Sequence, residues 1–142
     1  MQALERIHPG WGVAVVRIIA GVILVVAGWG KLSGGIDQFA GNLAQMGFPA
    51  PEVLAPLVVA FELVGGLLIL VGLGARWLGI VMVAQFLIIA FYLQLPNRGF
   101  GGARLDLLMA AVGLMLILAG AGKLSVDERL ARRRRVPTLE RV

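Results

Sequence analysis

The sequence predicts an all-α membrane protein: a bundle of four transmembrane helices, with a short interfacial helix between the first two and both termini in the cytoplasm. The 142 residues are 59% hydrophobic and only 15% charged, whereas soluble domains average roughly 45–50% and about 25%. Four apolar runs approach the roughly 20 residues that a helix needs to cross the hydrocarbon core. Barrel strands would be half as long and would alternate, so a helical bundle is predicted.

The predicted spans are residues 11–30, 53–73, 77–95 and 105–122. Trp11, Trp29 and Trp77 lie at span ends, where amphipathic rings favour the headgroup level. The first run carries Arg17 and has no small-residue cleavage site, so it is interpreted as a retained span and not as a signal peptide. We expect one domain, residues 1–130, followed by a basic cytoplasmic tail, residues 131–142.

The connection between the first two spans is predicted to contain a short helix in the outer membrane interface. Its apolar residues recur at helical spacing and oppose a polar face. They are Ile36, Phe39, Leu43 and Met46. Gly47 and Pro49 would end this helix.

Basic residues predict the orientation. With four spans, one side would hold nine basic residues and the other side three. The nine are Arg6, Arg76, Lys123, Arg129, Arg132, Arg133, Arg134, Arg135 and Arg141, and the three are Lys31, Arg98 and Arg104. The positive-inside rule then places both termini in the cytoplasm of a multi-pass inner-membrane protein.

A short motif occurs twice, as AGWGKLSGG from Ala27 and as AGAGKLSVD from Ala119. Neither copy completes a phosphate-binding loop, because a leucine separates the lysine from the serine. The predicted topology also puts the two copies on opposite faces of the membrane, so they cannot share a ligand. We expect each to be a glycine helix stop followed by a lysine that reaches the headgroups.

Two charged residues lie inside apolar runs, Arg17 and Glu62. Such groups persist in a membrane only when they face the bundle or a wet cavity. Arg17 shares a heptad stripe with Ala14, Gly21 and Gly28, which favours close helix contact. Two interpretations stay open: an Arg17–Glu62 pair that only fixes the packing of the helices, or a pocket for a ligand headgroup.

Other polar residues extend this set. Gln85 and Tyr92, one heptad apart on the third span, would supply hydrogen bonds to a ligand held by Arg17 and Glu62. A second cluster is expected at the outer mouth of the bundle, formed by Lys31, Arg104 and Asp106.

The C-terminal segment is strongly basic. Ser125 and Glu128 have the spacing of a capping box, which predicts a helix start. The run Arg132, Arg133, Arg134 and Arg135 would contact anionic lipids or an acidic partner. Nucleic-acid binding is not indicated, because arginines beside a membrane need no such explanation.

The chain has no cysteine and a single histidine, His8. This composition excludes disulfides, thiol redox chemistry, iron–sulfur ligation and a bis-histidine haem within the chain. No catalytic residue and no metal ligand is predicted, and no cofactor is expected in the chain itself. Electrons would reside on a bound small molecule or on a partner.

Several motifs together resemble the DoxX family of small four-helix membrane proteins. They are R-x-x-x-G-x-x-x-x-x-x-G-x-x-K-L from Arg17 to Leu32, G-F-P-x-P from Gly47, Glu62 before Gly65 and Gly66, LGAR from Leu73, and GAGKLSVDERL from Gly120. The resemblance implies a four-helix membrane unit. Some members look like membrane subunits of thiosulfate:quinone oxidoreductases, and others are associated with oxidative-stress or thiol-linked complexes.

Three functional hypotheses follow. The first is an accessory subunit, not catalytic alone, that anchors or stabilises a larger, redox-linked membrane complex in contact with lipids and other subunits. The second is a quinone- or lipid-binding component of a quinone-linked oxidoreductase. The third is a small-molecule carrier, although the sequence shows no inverted repeat or broken helix.

Overall fold

The computed structural model describes residues 9–134, and every regular element in that range is helical. The seven α-helices are α1 (Gly10–Gly34), α2 (Ile36–Gln45), α3 (Pro51–Ala60), α4 (Gly66–Val71), α5 (Ala75–Ile88), α6 (Leu95–Ala119) and α7 (Val126–Arg134). Two wider π-helical turns, Phe61–Gly65 and Ile89–Gln94, join α3 to α4 and α5 to α6. Arg6, His8, Arg135 and Arg141 lie outside the described residues.

Three helices in the described range are long and apolar enough to cross a membrane: Gly10–Gly34, Pro51–Val71 and Ala75–Ala119. The last has 45 residues and is interrupted at Gly99, where φ is 63° and ψ is −165°. A Cβ at Gly79 would lie 2.7 Å from the carbonyl oxygen of Gly113. The two arms of this segment therefore fold back on each other around Gly99.

The bundle packs through small residues. Gly21 lies against Gly66, where an added Cβ would come within 2.9 Å of the Gly66 carbonyl oxygen. The predicted stripe on α1 is confirmed, because Ala14 and Arg17 are each 1% exposed and Gly28 is also buried. Large apolar side chains such as Trp77 and Leu118 cover the outside, as expected where lipid replaces water.

The first predicted helix end is wrong. Helix α1 does not stop at Gly28 or Gly30 but continues to Gly34, and Gly35 ends it with a φ of 97°. Gly28 instead allows close packing of α1 against Glu62, since an added Cβ would lie 2.9 Å from the Cβ of Glu62. At the second copy of the motif the prediction is confirmed, because α6 ends at Gly120 with a φ of 74°.

The predicted helix between the first two spans is present as α2. It forms a small core of its own with the start of α3, in which Ala40, Leu43 and Ala55 are buried and Ile36 and Phe39 pack alongside. Gly47 follows the helix with a φ of 81°, in the left-handed region that glycine adopts without strain. Helix α2 thus forms a cap on α1 and the start of α3, both of which it contacts.

A candidate membrane cavity beneath α2

A cavity of about 780 Å³ lies between α2 and the bundle. Its walls are mainly apolar and include four aromatic rings. The rings are those of Phe39, Phe48, Phe86 and Tyr92, and the charged side chains at the cavity are Lys31, Glu62 and Asp106. A mainly apolar pocket with a few polar groups at defined positions is the usual form of a small-molecule site.

The polar end of the cavity is an ion pair between α1 and the first π-helical turn. Lys31 Nζ lies 2.8 Å from Glu62 Oε1 and 2.6 Å from Glu62 Oε2. The side chain of Glu62 is only 4% exposed, whereas that of Lys31 is 27% exposed. Gln85 extends the cluster by donating from Nε2 to Glu62 Oε1 at 3.4 Å. Three helical segments thus meet at one carboxylate.

Backbone packing explains this geometry. Gly28 lets the first π-helical turn approach α1 so closely that the Cβ of Glu62 lies over it. Lys31 is one turn further along α1, on the same face, because residues three apart in a helix are neighbours. The ammonium also lies 5.5 Å from the centroid of the Phe39 ring, a cation–π distance. Lys31 is therefore held by a carboxylate and by the α2 cap.

Aromatic residues form another part of the cavity wall. The rings of Phe48 and Tyr92 lie 5.6 Å apart, inclined at 58°. Tyr92, in the second π-helical turn, is 63% exposed although it lines the cavity. Met46 and Ile88 line the cavity too, and each is at least half exposed. On this side, the wall of the cavity is therefore also part of the outer surface of the bundle.

The predicted outer-mouth cluster is only partly assembled. Lys31 and Asp106 both line the cavity, and Asp106 is partly buried there. Arg104 is exposed and is not a lining residue. Two of the three predicted members therefore belong to one site, together with Glu62 and Gln85.

Arg17 does not pair with Glu62. Its guanidinium donates to the carbonyl oxygens of Ala121, Lys123 and Leu124, the last two at 3.4 and 3.3 Å. The antiparallel register of α1 and α3–α4 places Gly28 against Glu62 and Arg17 against Gly72. Arg17 precedes Lys31 by 14 positions, or about 21 Å of helix, so it lies outside the cavity.

Arg17 instead holds the loop between α6 and α7. A Cβ at Gly72 would lie 2.6 Å from Arg17 Nη1, so the α4–α5 turn passes directly beside the guanidinium. Asp127 completes this junction by accepting from the backbone N–H of Gly74 at 2.9 Å and of Ala75 at 3.2 Å. These contacts fix the start of α7 against the turn.

The predicted cap of α7 is confirmed. The hydroxyl of Ser125 accepts from the backbone N–H of Glu128 at 3.2 Å. Arg132 forms an ion pair with Glu128 at 2.8 Å, and its side chain is 72% exposed. Of the predicted contact residues, Arg133 is also exposed, the backbone of Arg134 ends α7, and Arg135 lies beyond the described range.

Sequence reasoning placed Lys31 at the outer mouth with Arg104 and Asp106 but missed its pairing with Glu62. It also treated Phe39 only as an apolar residue of α2. Within residues 9–134, no group of three His, Asp or Glu side chains is placed to hold a metal ion.

Comparison with known proteins identifies the family to which the chain is related. The DoxX family model matches residues 12–95. "Putative oxidoreductase CatD" of Bacillus subtilis (strain 168) is 30% identical over 118 residues, covering 82% of this chain and 84% of that protein. "Inner membrane protein YqjF" of Escherichia coli (strain K12) is 32% identical over 136 residues, covering 92% and 97%. No solved structure matches significantly. The chain therefore belongs to the DoxX family of membrane proteins.

Proposed function

We propose that this protein binds a quinone or a lipid from the bilayer, as the membrane component of a redox-linked complex. The observation that carries the proposal is the cavity of about 780 Å³, whose apolar walls end at the Lys31–Glu62–Gln85 cluster. An amphiphilic molecule fits such a space with its tail along the walls and its head at the polar end.

A quinone head matches the groups available. Its carbonyl oxygens accept hydrogen bonds, and the Lys31 ammonium and the Gln85 amide are donors at the polar end. Glu62 provides a carboxylate that can hold or release a proton at Oε1 or Oε2 beside the head, a role typical of ionisable groups inside membranes. The quinone supplies the redox chemistry when bound. The residues of this chain bind the quinone, orient its head and exclude water from it.

In this proposal the electrons come from a bound small molecule or from a partner protein. The chain has no cysteine, and the described residues present no metal-binding group. The word oxidoreductase in the name of the CatD relative supports a redox connection. Family membership alone does not identify a reaction. The proposal is therefore tested by measuring ligand binding at the cavity.

The proposed membrane topology has four crossings, with both termini in the cytoplasm of the inner membrane. The reversal at Gly99 supports treating the 45-residue segment as two crossings. The excess of basic residues on the side of the termini supports the orientation, and the name of the YqjF relative supports the inner membrane. We retain the division into a domain of residues 1–130 and a basic tail of residues 131–142.

The test is quinone binding by purified protein in lipid nanodiscs, measured by native mass spectrometry with added decylubiquinone. Glu62→Gln should weaken binding about tenfold or more, because it replaces the carboxylate that positions the donors Lys31 and Gln85 at the polar end. Glu52→Gln is the matched control, since Glu52 is exposed and is not a lining residue. If the two variants bound the quinone equally well, the proposed site would be wrong.

An accessory role, in which the chain anchors other subunits, is the second candidate. The contacts of Arg17 and Asp127 hold α7 in place, and Arg132 and Arg133 are exposed on it. A fixed basic helix is suited to anionic lipids or to an acidic subunit. Replacing Arg132–Arg135 by glutamine should release proteins that co-purify from native membranes. An unchanged set of co-purifying proteins would contradict this role.

A further inference from the structure

We infer that the cavity also takes lipophilic organic cations, held at Asp106. This inference goes beyond the proposed binding of a quinone or lipid, although it concerns the same cavity. It rests on the balance of charge at the cavity and on the chemistry of the walls.

The charges at the cavity do not cancel. The charged lining residues are one lysine and two acidic residues, Lys31, Glu62 and Asp106. Lys31 contacts both carboxylate oxygens of Glu62, at 2.8 and 2.6 Å. Asp106 makes no ion pair with any residue in the described range, and Arg104 lies outside the lining. Lys31 acts on Asp106 only at a distance and is shared with Glu62, so one negative charge is in excess among these three side chains.

The walls suit a cation with an apolar body. Phe39, Phe48, Phe86 and Tyr92 present aromatic rings to the space, and ring faces attract cations that have lost part of their hydration. The protein already shows this contact in the position of the Lys31 ammonium near the Phe39 ring. A monovalent cation with bulky apolar substituents would find aromatic side chains and the Asp106 carboxylate in the lining of one cavity.

The cavity should reject the corresponding anion. An anion of the same shape would fill the same space but would meet an unpaired carboxylate, and like charges in a partly desolvated space repel. Lys31 offers it little compensation, because the positive charge of its ammonium is offset by Glu62 in the ion pair. A preference for the cation over the anion therefore distinguishes this inference from binding that depends only on the apolar walls.

The experiment compares two probes of the same shape, tetraphenylphosphonium and tetraphenylborate. Each is titrated into full-length protein in phosphatidylcholine nanodiscs, with protein-free nanodiscs subtracted. We expect the cation to bind at least about tenfold more tightly than the anion, since one unpaired charge at short range accounts for such a factor.

Asp106→Asn should remove this preference, while Asp106→Glu should keep most of it. Asp37→Asn is the matched control, since Asp37 is exposed on α2 and does not line the cavity. Equal affinity for the two probes, or a preference that survives Asp106→Asn, would overturn the inference.

Decylubiquinone in the same nanodiscs separates this inference from the proposed function. Binding of the quinone without any preference for the cation would overturn the inference alone. Binding of the cation without the quinone would support the inference and count against the quinone. Binding of neither would count against both.

Discussion

Lys31 on α1 and Glu62 in the first π-helical turn form an ion pair in which both carboxylate oxygens contact the ammonium, at 2.8 and 2.6 Å. Glu62 is almost completely buried, and Lys31 keeps about a quarter of its side chain exposed. The pair is the main polar link between the first two long helices on the side of α2, and it also forms the polar end of the cavity. A change to this pair should therefore alter both the stability of the bundle and the binding of a ligand in the cavity.

Removing one partner of this pair should be strongly destabilising. Lys31→Met leaves Glu62 buried without its counter-charge, which costs about 3–5 kcal/mol for fully buried pairs. We expect a value at the lower end, because Lys31 retains some access to solvent. Unfolding in mixed micelles with increasing dodecyl sulfate measures the loss. Arg104→Met is the control, since Arg104 is exposed and outside the cavity.

The double variant Lys31→Met with Glu62→Met should recover most of this stability, because apolar side chains replace both charges. The recovery should come with loss of quinone binding. If the double variant were no more stable than Lys31→Met, the pair would not be the source of the destabilisation.

A methyl group at Gly28 should separate the helices that hold the pair. Gly28→Ala places a Cβ 2.9 Å from the Cβ of Glu62 and about as close to Leu63, and overpacking of this kind costs about 1–3 kcal/mol. Gly30→Ala is the matched control on the same helix, since nothing lies within 4 Å of its added Cβ. That change should instead stabilise by about 0.5–1 kcal/mol. The same micelle unfolding measures both, and equal effects would contradict the close approach.

Arg17 should act on the C-terminal segment and not on the cavity. Arg17→Met removes donors to the carbonyl oxygens of Ala121, Lys123 and Leu124, and hydrogen bonds from charged groups contribute about 1.5–3 kcal/mol. Hydrogen–deuterium exchange should rise in residues 120–127, while quinone affinity stays within about twofold. Arg17→Lys should restore only part of the protection, because an ammonium lacks the planar fork. Faster exchange around Glu62 with none at residues 120–127 would contradict this assignment.

Asp127 should stabilise the start of α5. Asp127→Ala removes the acceptor for the backbone N–H groups of Gly74 and Ala75, and loss of a helix cap typically costs about 1 kcal/mol. Asp127→Asn keeps one side-chain acceptor and should cost less. Micelle unfolding ranks the two variants, and exchange rates at residues 74–78 locate the effect. An Asn variant as unstable as the Ala variant would show that the charge, and not the hydrogen bond, matters.

The sequence was sufficient to predict which faces of the helices are buried. The heptad spacing of Ala14, Gly21 and Gly28 identifies the buried side of α1, because a helix repeats its faces nearly every seven residues. Arg17 and Glu62 were correctly predicted to point inward. The short helix α2 and the cap at Ser125 followed from equally local patterns.

The partners of the buried charges could not be predicted in the same way. Which residue of α1 lies opposite Glu62 depends on how the two helices slide along each other, and neither helix encodes this in its own periodicity. The structure sets that register through Gly28, which the sequence had placed on the contact stripe of α1 without indicating which residue of the second span it meets. The cavity itself depends on the placement of α2 and on two π-helical turns, and π-helical turns have no reliable pattern in a single sequence.

The two π-helical turns have a consequence for how this bundle tolerates changes in length. Each turn accommodates one residue more than an α-helix would, and one residue corresponds to about 100° of rotation. Beyond Phe61–Gly65 and Ile89–Gln94, the apolar pattern of each helix is therefore shifted by one residue along the sequence. A single-residue deletion inside either turn can be absorbed by a return to α-helical geometry, whereas a deletion elsewhere in the same helix would rotate the rest of it by more than a quarter circle and bring lipid-facing side chains into the bundle. The shape of the cavity therefore depends on where each helix widens as well as on which residues line it.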